Sequence, residues 1–270
     1  MNDDYQSDLD APAYEPKWYA SPIDLPARSL GKMRVSHKIV KGSTPIVSMR
    51  ELVTRGAHPL RALLKKPLRY HELSEDSRGV WMTDLPQELN QAQEALFHMP
   101  PFGKVLIGGL GLGILPAYVC DFPDVSAVTV VEISHDVIKL TAVPGRYKVA
   151  YADITEYLRI CPEFDCYYLD TWTGTSETEW WDKVLPLRRI IGQRFGCKPI
   201  WCWAEDIMLG QCRLSAWRQR GRFWHYKILS PRASRETVRK FFDDIGLPQW
   251  ERRYGAALAD VLGEAETCAT

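Results

Sequence analysis

A run of glycines follows a short apolar stretch near the middle of the chain, in VLIGGLGLGILP over residues 105–116. Glycine has no side chain, so a loop of this composition lets a ligand approach the backbone closely. The pattern differs from a dinucleotide-binding loop, because Ile114 or Pro116 stands where the third glycine would be. It also differs from a P-loop, since no Lys-Ser or Lys-Thr follows it. The glycines with candidate binding roles are Gly108, Gly109, Gly111 and Gly113.

Three carboxylates close the predicted strands that follow the glycine loop: Glu132, Asp153 and Asp170. Ligands of open α/β sheets bind outside the carboxyl ends of the strands, so we expect these acids and the glycine loop to face one cleft. Glu132 lies nineteen residues beyond Gly113, at a place where an acid accepts hydrogen bonds from the hydroxyls of a ribose. A nucleoside without phosphate needs no further cation. The pattern therefore favours S-adenosylmethionine over NAD as the cofactor.

Apolar strands and amphipathic helices alternate over residues 84–205, as in a parallel sheet connected by right-handed crossovers. Strands are predicted over residues 104–109, 127–132, 147–153, 164–170 and 198–205. Helices are predicted over residues 112–122, 135–141, 154–160 and 178–195. Pro116 is tolerated in the first turn of the first helix, and Ser134 is placed to cap the second. The fold class is therefore α/β.

Composition and charge restrict the possible partners. The 34 basic side chains equal the 34 acidic ones, so no overall field attracts the chain to nucleic acid or to a membrane surface. No stretch has the character of a signal peptide or a membrane span, and we expect a cytoplasmic protein without membrane contact. The seven cysteines are scattered without the spacing of zinc ligands, so we predict no metal site.

The chain divides by composition into three predicted parts. Residues 1–30 are acidic and proline-rich and predict a disordered tail. Residues 31–83 contain short mixed segments interrupted by glycine and proline, which suit a small β-rich lobe. Residues 84–270, which include the alternating strands and helices of 84–205, form the predicted Rossmann-like cofactor-binding domain.

Four segments in this order resemble a known family: KVLIGGLGLGILP, VTVVEISHDVIKL, VAYADITEYL and FDCYYLDTW. They are similar to the spermidine-synthase-like branch of the class I S-adenosylmethionine-dependent methyltransferases. The similarity covers about residues 80–205, and the doublet Gly108-Gly109 is closer to this branch than to other methyltransferases. The resemblance implies a Rossmann-like class I methyltransferase sheet with a small N-terminal β-rich lobe.

The resemblance also implies a role for each nucleoside-binding position. Glycines 109, 111 and 113 would pass close to the methionine part of S-adenosylmethionine. Glu132 would bind both ribose hydroxyls, and Asp153 would accept a hydrogen bond from the exocyclic amine of adenine. Ile133 and Ile154, each following an acid, would provide the apolar faces on which adenine packs.

The position after the fourth strand carries the implied catalytic role. Asp170 corresponds to the acid that helps to deprotonate the attacking amine in aminopropyltransferases. Trp172 would cover the sulfonium by a cation–π contact. Two acids of the aminopropyltransferase pattern are missing, because Gly111 and Thr173 stand in their places. The missing negative charges weigh against a cationic polyamine substrate and favour methyl transfer.

Several alternatives stay open at the level of sequence. Aminopropyl transfer, or another cleavage that releases methylthioadenosine, is the second candidate activity, and a non-catalytic cofactor-binding protein is the third. Structural explanations also exist: the glycines would suit a tight turn, Glu132 and Asp153 would suit helix caps, and Asp170 would bind loop amides. The sequence carries no motif that identifies the acceptor of the transferred group. Residues 213–227 interleave arginine with aromatic residues, a pattern that suits nucleic-acid binding, and the resemblance implies a homodimer, because the related enzymes are often dimers.

Overall fold

The computed structural model describes residues 21–42, 45–47, 61–63, 67–205 and 207–208. The arginine- and aromatic-rich segment 213–227 and residues 1–20 of the predicted tail lie outside the described residues. Within the described residues the strands are β1 Arg28–Leu30, β2 Met33–Val40, β3 Pro45–Val47, β4 Arg61–Leu63, β5 Leu68–Glu75, β6 Gly79–Thr83, β7 Gly103–Gly108, β8 Val125–Glu132, β9 Lys148–Tyr151, β10 Cys166–Leu169 and β11 Ile200–Cys202. The helices are α1 Pro86–His98, α2 Ile114–Cys120, α3 His135–Thr141, α4 Ile154–Ile160, α5 Glu177–Glu179 and α6 Leu185–Phe195, with a π-helical segment Trp180–Val184 before α6.

Strands β7 to β11 form a five-stranded parallel sheet in the order β11-β10-β7-β8-β9. Counted along this part of the chain, the order is 3-2-1-4-5, which is that of doubly wound dinucleotide-binding sheets. All four residues of β10 and the apolar residues of β7 are fully buried, as expected for central parallel strands covered on both faces. The predicted Rossmann-like α/β fold is confirmed.

The helices begin where local sequence signals place them. Gly113 precedes α2 with φ 82°, and Pro116 lies in the first turn of this helix. The Ser134 hydroxyl accepts the Val137 amide at 3.2 Å and caps α3 as predicted. The helix predicted over 178–195 is present but widens into the π-helical segment just before Pro186, which has no amide to continue an α-helical bond.

A separate antiparallel sheet in the order β1-β2-β5-β6 forms the predicted N-terminal lobe, with β3 and β4 as a two-stranded sheet. This lobe begins earlier than expected. Ile23 and Leu25 are buried, and the Leu25 amide donates to Nε2 of His71 at 3.3 Å. Residues 21–30 are therefore folded, because two apolar side chains anchor a segment whose composition had suggested a tail.

The chain divides into two compact units. One combines residues up to 101 with 109–151, and the other combines 102–108 with the residues from 152 onward. The predicted boundary after residue 83 does not coincide with this division. Contacts within the first unit explain the difference, since the Arg28 guanidinium donates to the carbonyls of Lys139 at 2.6 Å and Leu140 at 2.8 Å in α3.

Helix α1 carries a carboxyl on its buried face. Glu88 is seven residues from the fully buried Ala95, so both lie on the same side of the helix. Burial raises the pKa of Glu88 to about 7, and its carboxyl has no ion pair within the described ranges. The charged form is therefore unfavourable in the folded state at neutral pH.

We expect the ionisation of Glu88 to make the stability of the protein depend on pH. The folded pKa lies above the unfolded value, so the free energy of unfolding falls as pH rises from about 4.5 to about 7. Glu88→Gln should raise the free energy of unfolding at pH 8 by on the order of 2 kcal/mol, with little effect near pH 4. Urea unfolding at both pH values measures this. Glu156→Gln, an exposed carboxyl on α4, is the control that should change stability little at either pH.

Candidate functional site

The three alternating glycines of the loop between β7 and α2 share one backbone property. Gly109, Gly111 and Gly113 have φ values of 92°, 53° and 82°, all in the left-handed region. Side chains are strained in this region, so each glycine is required by the path of the chain. Gly111 is also closely approached, because a Cβ there would lie 2.5 Å from Sδ of Met82.

The amides of this loop are mostly used within the first unit. Two amides donate to backbone carbonyls: that of Gly109 to Val131 and that of Gly113 to Leu110, both at 2.8 Å. Two others donate to side chains: that of Leu110 to Oε2 of Glu132 at 2.9 Å and that of Leu112 to Sδ of Met82 at 3.3 Å. Among residues 109–113, only the Gly111 amide has no partner within the part of the chain described. A phosphate-binding loop instead directs its amides at the ligand. This geometry suits a ligand without phosphate.

Glu132, the last residue of β8, is buried and holds the glycine loop. Its Oε2 accepts the Leu110 amide, and its Oε1 accepts the Ser134 amide at 2.8 Å. An ionised carboxylate offers about four lone-pair positions, so two remain, one on each oxygen. Two parallel acceptors of this kind match the two hydroxyls of a vicinal diol.

Exposed apolar side chains flank this carboxylate. Ile133 is 64% exposed directly after Glu132. Tyr151, which pairs with Glu132 across β8 and β9, is 67% exposed, and the His135 ring meets it edge-on at 5.8 Å. The sequence pattern singles out Ile133 but not Tyr151 or His135, because the pairing of β8 with β9 is what brings Tyr151 beside Glu132.

In the second unit, Asp153 caps α4. Its Oδ1 accepts the amides of Thr155 at 2.8 Å and Glu156 at 3.2 Å, which is the structural explanation considered from the sequence. Ile154 is buried, and a Cβ on Gly108 would lie 3.2 Å from its Cδ1. Close packing thus accounts for both Gly108 and Ile154, and the nucleoside contacts expected of these three residues stay predictions.

The cap has a measurable consequence. Asp153→Ala should lower the free energy of unfolding by about 1 kcal/mol, because two amides of the first turn lose their acceptor. Asp153→Asn should cost much less, since asparagine caps helices about as well as aspartate. Urea denaturation of the two variants tests this difference. Equal losses in both would show that the charge, and not the cap, is what stabilises α4.

Two further predicted residues follow β10 in the second unit. Asp170 comes directly after Leu169, and its amide donates to the Gly108 carbonyl at 2.8 Å. Trp172 is only 7% exposed, and its indole N–H donates to the Trp203 carbonyl at 3.1 Å. Burial accounts for Trp172 as a packing residue, which is a role the sequence did not suggest. The base role of Asp170 and the sulfonium contact of Trp172 stay predictions.

The predicted residues thus fall into two groups. The first unit brings Glu132 and Ile133 together with the loop over 109–113, and it adds Met82, which the sequence did not single out. The second unit brings Gly108, Ile154 and the Asp170 backbone together.

Among the described residues, no helix is long and apolar enough to cross a membrane.

No protein-family model matches this chain, and no curated protein does. Solved structures similar to it include human methyltransferase-like protein 13 in complex with SAH, at 20% identity over 39% of this chain and 57% of that protein, with a TM-score of 0.28. A putative S-adenosyl-L-methionine-dependent methyltransferase from Methanococcus maripaludis is 15% identical over 59% of this chain and 77% of that protein, with a TM-score of 0.33. A spermidine synthase in complex with the transition-state analogue AdoDATO is 17% identical over 44% of this chain and 48% of that protein, with a TM-score of 0.29. The Rossmann-like fold of this chain rests on its own strand order, and these three transferases are solved proteins to which it is similar.

Proposed function

We propose that this chain binds S-adenosylmethionine at the glycine loop and Glu132 and transfers its methyl group to an acceptor. One observation carries the proposal. The buried Glu132 carboxylate holds the loop through Leu110 and keeps one acceptor position on each oxygen. A ribose diol supplies the two donors that these positions lack.

The loop supports a sulfonium nucleoside over a dinucleotide. A pyrophosphate needs free amides in the loop that leads into the following helix, and here the Leu112 and Gly113 amides already have acceptors. The exposed side chain of Ile133, next to Glu132, offers an apolar face to a purine base. These features suit a nucleoside without phosphate.

Methyl transfer is favoured over aminopropyl transfer by what surrounds Gly111. Aminopropyltransferases carry a loop aspartate at this position, and here Met82 fills the space that a side chain would need. The exposed Thr173 stands at the position of the second missing acid. A loop without these carboxylates offers little stabilisation to a cationic amine.

In the proposed reaction the cofactor supplies an electrophilic methyl group on its sulfonium. The acceptor atom forms a bond to this methyl while the carbon–sulfur bond breaks, and S-adenosylhomocysteine leaves. The residues of the chain hold the nucleoside and orient the acceptor, which contributes most of the rate in reactions of this type. Asp170 is the proposed proton acceptor when the attacking atom carries a proton.

Calorimetry with S-adenosylhomocysteine and with NAD tests the binding proposal. We expect heat with the first compound and none with the second, and the reverse result would overturn the proposal. Mass spectrometry of the nucleoside products, after incubation with S-adenosylmethionine and a cell extract, tests the reaction. S-adenosylhomocysteine as product supports methyl transfer, methylthioadenosine supports the alternative, and neither product with tight binding indicates a non-catalytic protein. An Asp170→Asn variant that keeps full turnover would exclude Asp170 as the base.

A further inference from the structure

Met82 lies on strand β6 of the N-terminal sheet and contacts the glycine loop within the same unit. Its Sδ accepts the Leu112 amide at 3.3 Å. A Cβ on Gly111 would lie 2.5 Å from this sulfur and 3.6 Å from Cε. The thioether therefore occupies the space beside Gly111.

The backbone of Met82 is held by strand pairing, next to a register shift in the β5–β6 pair. It pairs with Leu73 of β5, which is fully buried in the N-terminal sheet. A side chain projecting from a paired strand holds its position better than one on a loop. Methionine also suits the place, because its unbranched side chain reaches an irregular gap and its sulfur is a weak hydrogen-bond acceptor.

The glycine loop is thus held from two sides. Glu132 binds the Leu110 amide and Met82 binds the Leu112 amide, while the amide between them, that of Gly111, has no partner within the described ranges. Both leucine side chains are buried and fix the other side of the loop. A loop fixed in this way loses little conformational freedom when a ligand binds.

We propose that Met82 is a positioning residue for the cofactor, which makes the N-terminal sheet part of cofactor recognition. This inference rests on the proposed function, because it concerns the affinity of the same loop for the nucleoside. It assigns to β6 a role that its sequence does not suggest. Met82 acts through the loop, by holding the Leu112 amide and the space beside Gly111.

The test measures S-adenosylhomocysteine affinity by calorimetry in Met82→Ala and Met82→Leu. Met82→Ala removes both the acceptor and the packing, and we expect affinity to fall about tenfold because the loop must then be ordered on binding. Met82→Leu keeps the volume and loses only the sulfur acceptor, so we expect a loss of about twofold to threefold. Unchanged affinity in Met82→Ala would overturn the inference.

Met33→Ala is the matched control. Met33 is a buried methionine on β2 of the same sheet, so its truncation also destabilises the lobe. We expect it to lower Tm without changing affinity by more than about twofold. A loss of affinity in Met33→Ala equal to that in Met82→Ala would reduce the effect to general destabilisation and overturn the proposal.

Gly111→Ala completes a double-mutant cycle. In the wild-type background the new Cβ meets the sulfur of Met82 and a left-handed φ, whereas in Met82→Ala only the backbone strain remains. The fold-loss of affinity should therefore be smaller in the Met82→Ala background. Equal losses in both backgrounds would show no coupling and contradict the inference. Wild-type protein without heat from S-adenosylhomocysteine would instead overturn the proposed function itself.

Discussion

Glu132→Gln should weaken S-adenosylhomocysteine binding by about thirtyfold or more. Hydrogen bonds to a charged acceptor contribute about 1.5 to 3 kcal/mol each, and the proposed ribose contacts are two such bonds. The glutamine side chain keeps only one acceptor oxygen. Its amide group would face the Leu110 or the Ser134 amide, so one buried donor loses its partner. Calorimetry measures the affinity, and binding within threefold of the wild type would contradict the assignment of Glu132.

The same substitution also lowers stability, so the control must match it. Asp84 is a buried carboxylate in the same unit that accepts the His71 amide at 2.5 Å and binds its Nδ1 at 2.6 Å. Asp84→Asn therefore removes a comparable set of bonds without removing the acceptor of a loop amide. We expect this variant to lose stability and to weaken nucleoside binding much less than Glu132→Gln does. Equal affinity losses in both variants would mean that unfolding, and not the loss of the diol acceptor, explains the Glu132 result.

The second large effect concerns stability of the other unit. Arg188 of α6 and Glu205, just after β11, form a bidentate ion pair with distances of 2.7 Å and 2.5 Å, and their side chains are only 22% and 14% exposed. The same guanidinium donates to the Ile200 carbonyl at 3.0 Å. Glu205→Gln should lower the free energy of unfolding by about 3 kcal/mol, because it leaves a largely buried cation without its counter-charge.

A double variant distinguishes the contribution of the ion pair from the cost of leaving one buried charge uncompensated. Replacing both residues, as Arg188→Met with Glu205→Leu, removes both charges together, and we expect it to recover most of the stability lost in Glu205→Gln. Guanidinium denaturation of the single and double variants measures the difference. A double variant less stable than the single one would show that the ion pair itself, and not the uncompensated charge, dominates. Arg159→Met, which removes an exposed cation paired with Glu156 on α4, is the control that should change stability by less than about 1 kcal/mol.

The fold of residues 103–202 was predictable because its signals are local. A fully apolar run such as β10 indicates a strand buried on both faces. Ser134 and Asp153 mark helix starts through bonds to amides two or three residues away. Glycines with left-handed φ mark the loop, since few other residues adopt that conformation. Such features depend only on neighbouring residues, so the sequence alone carries them.

Other features depend on residues distant in sequence. Nothing local shows that Ile23 and Leu25 pack into the N-terminal lobe, so composition misled the prediction of a tail up to residue 30. The pairing of β8 with β9 sets Tyr151 beside Glu132. Met82 reaches Leu112 across thirty residues of chain, and the buried Trp172 donates its indole N–H to the Trp203 carbonyl.

The sequence by itself determined the alternation of strands and helices, the glycine loop and the acid that ends the next strand. Tertiary structure alone decided that this acid accepts the Leu110 amide of the loop, and that a methionine from a separate sheet holds the same loop. The physical reason is that backbone conformation follows from local sterics and capping, whereas the partner of a buried amide is set by which distant side chain the packing brings within hydrogen-bond reach.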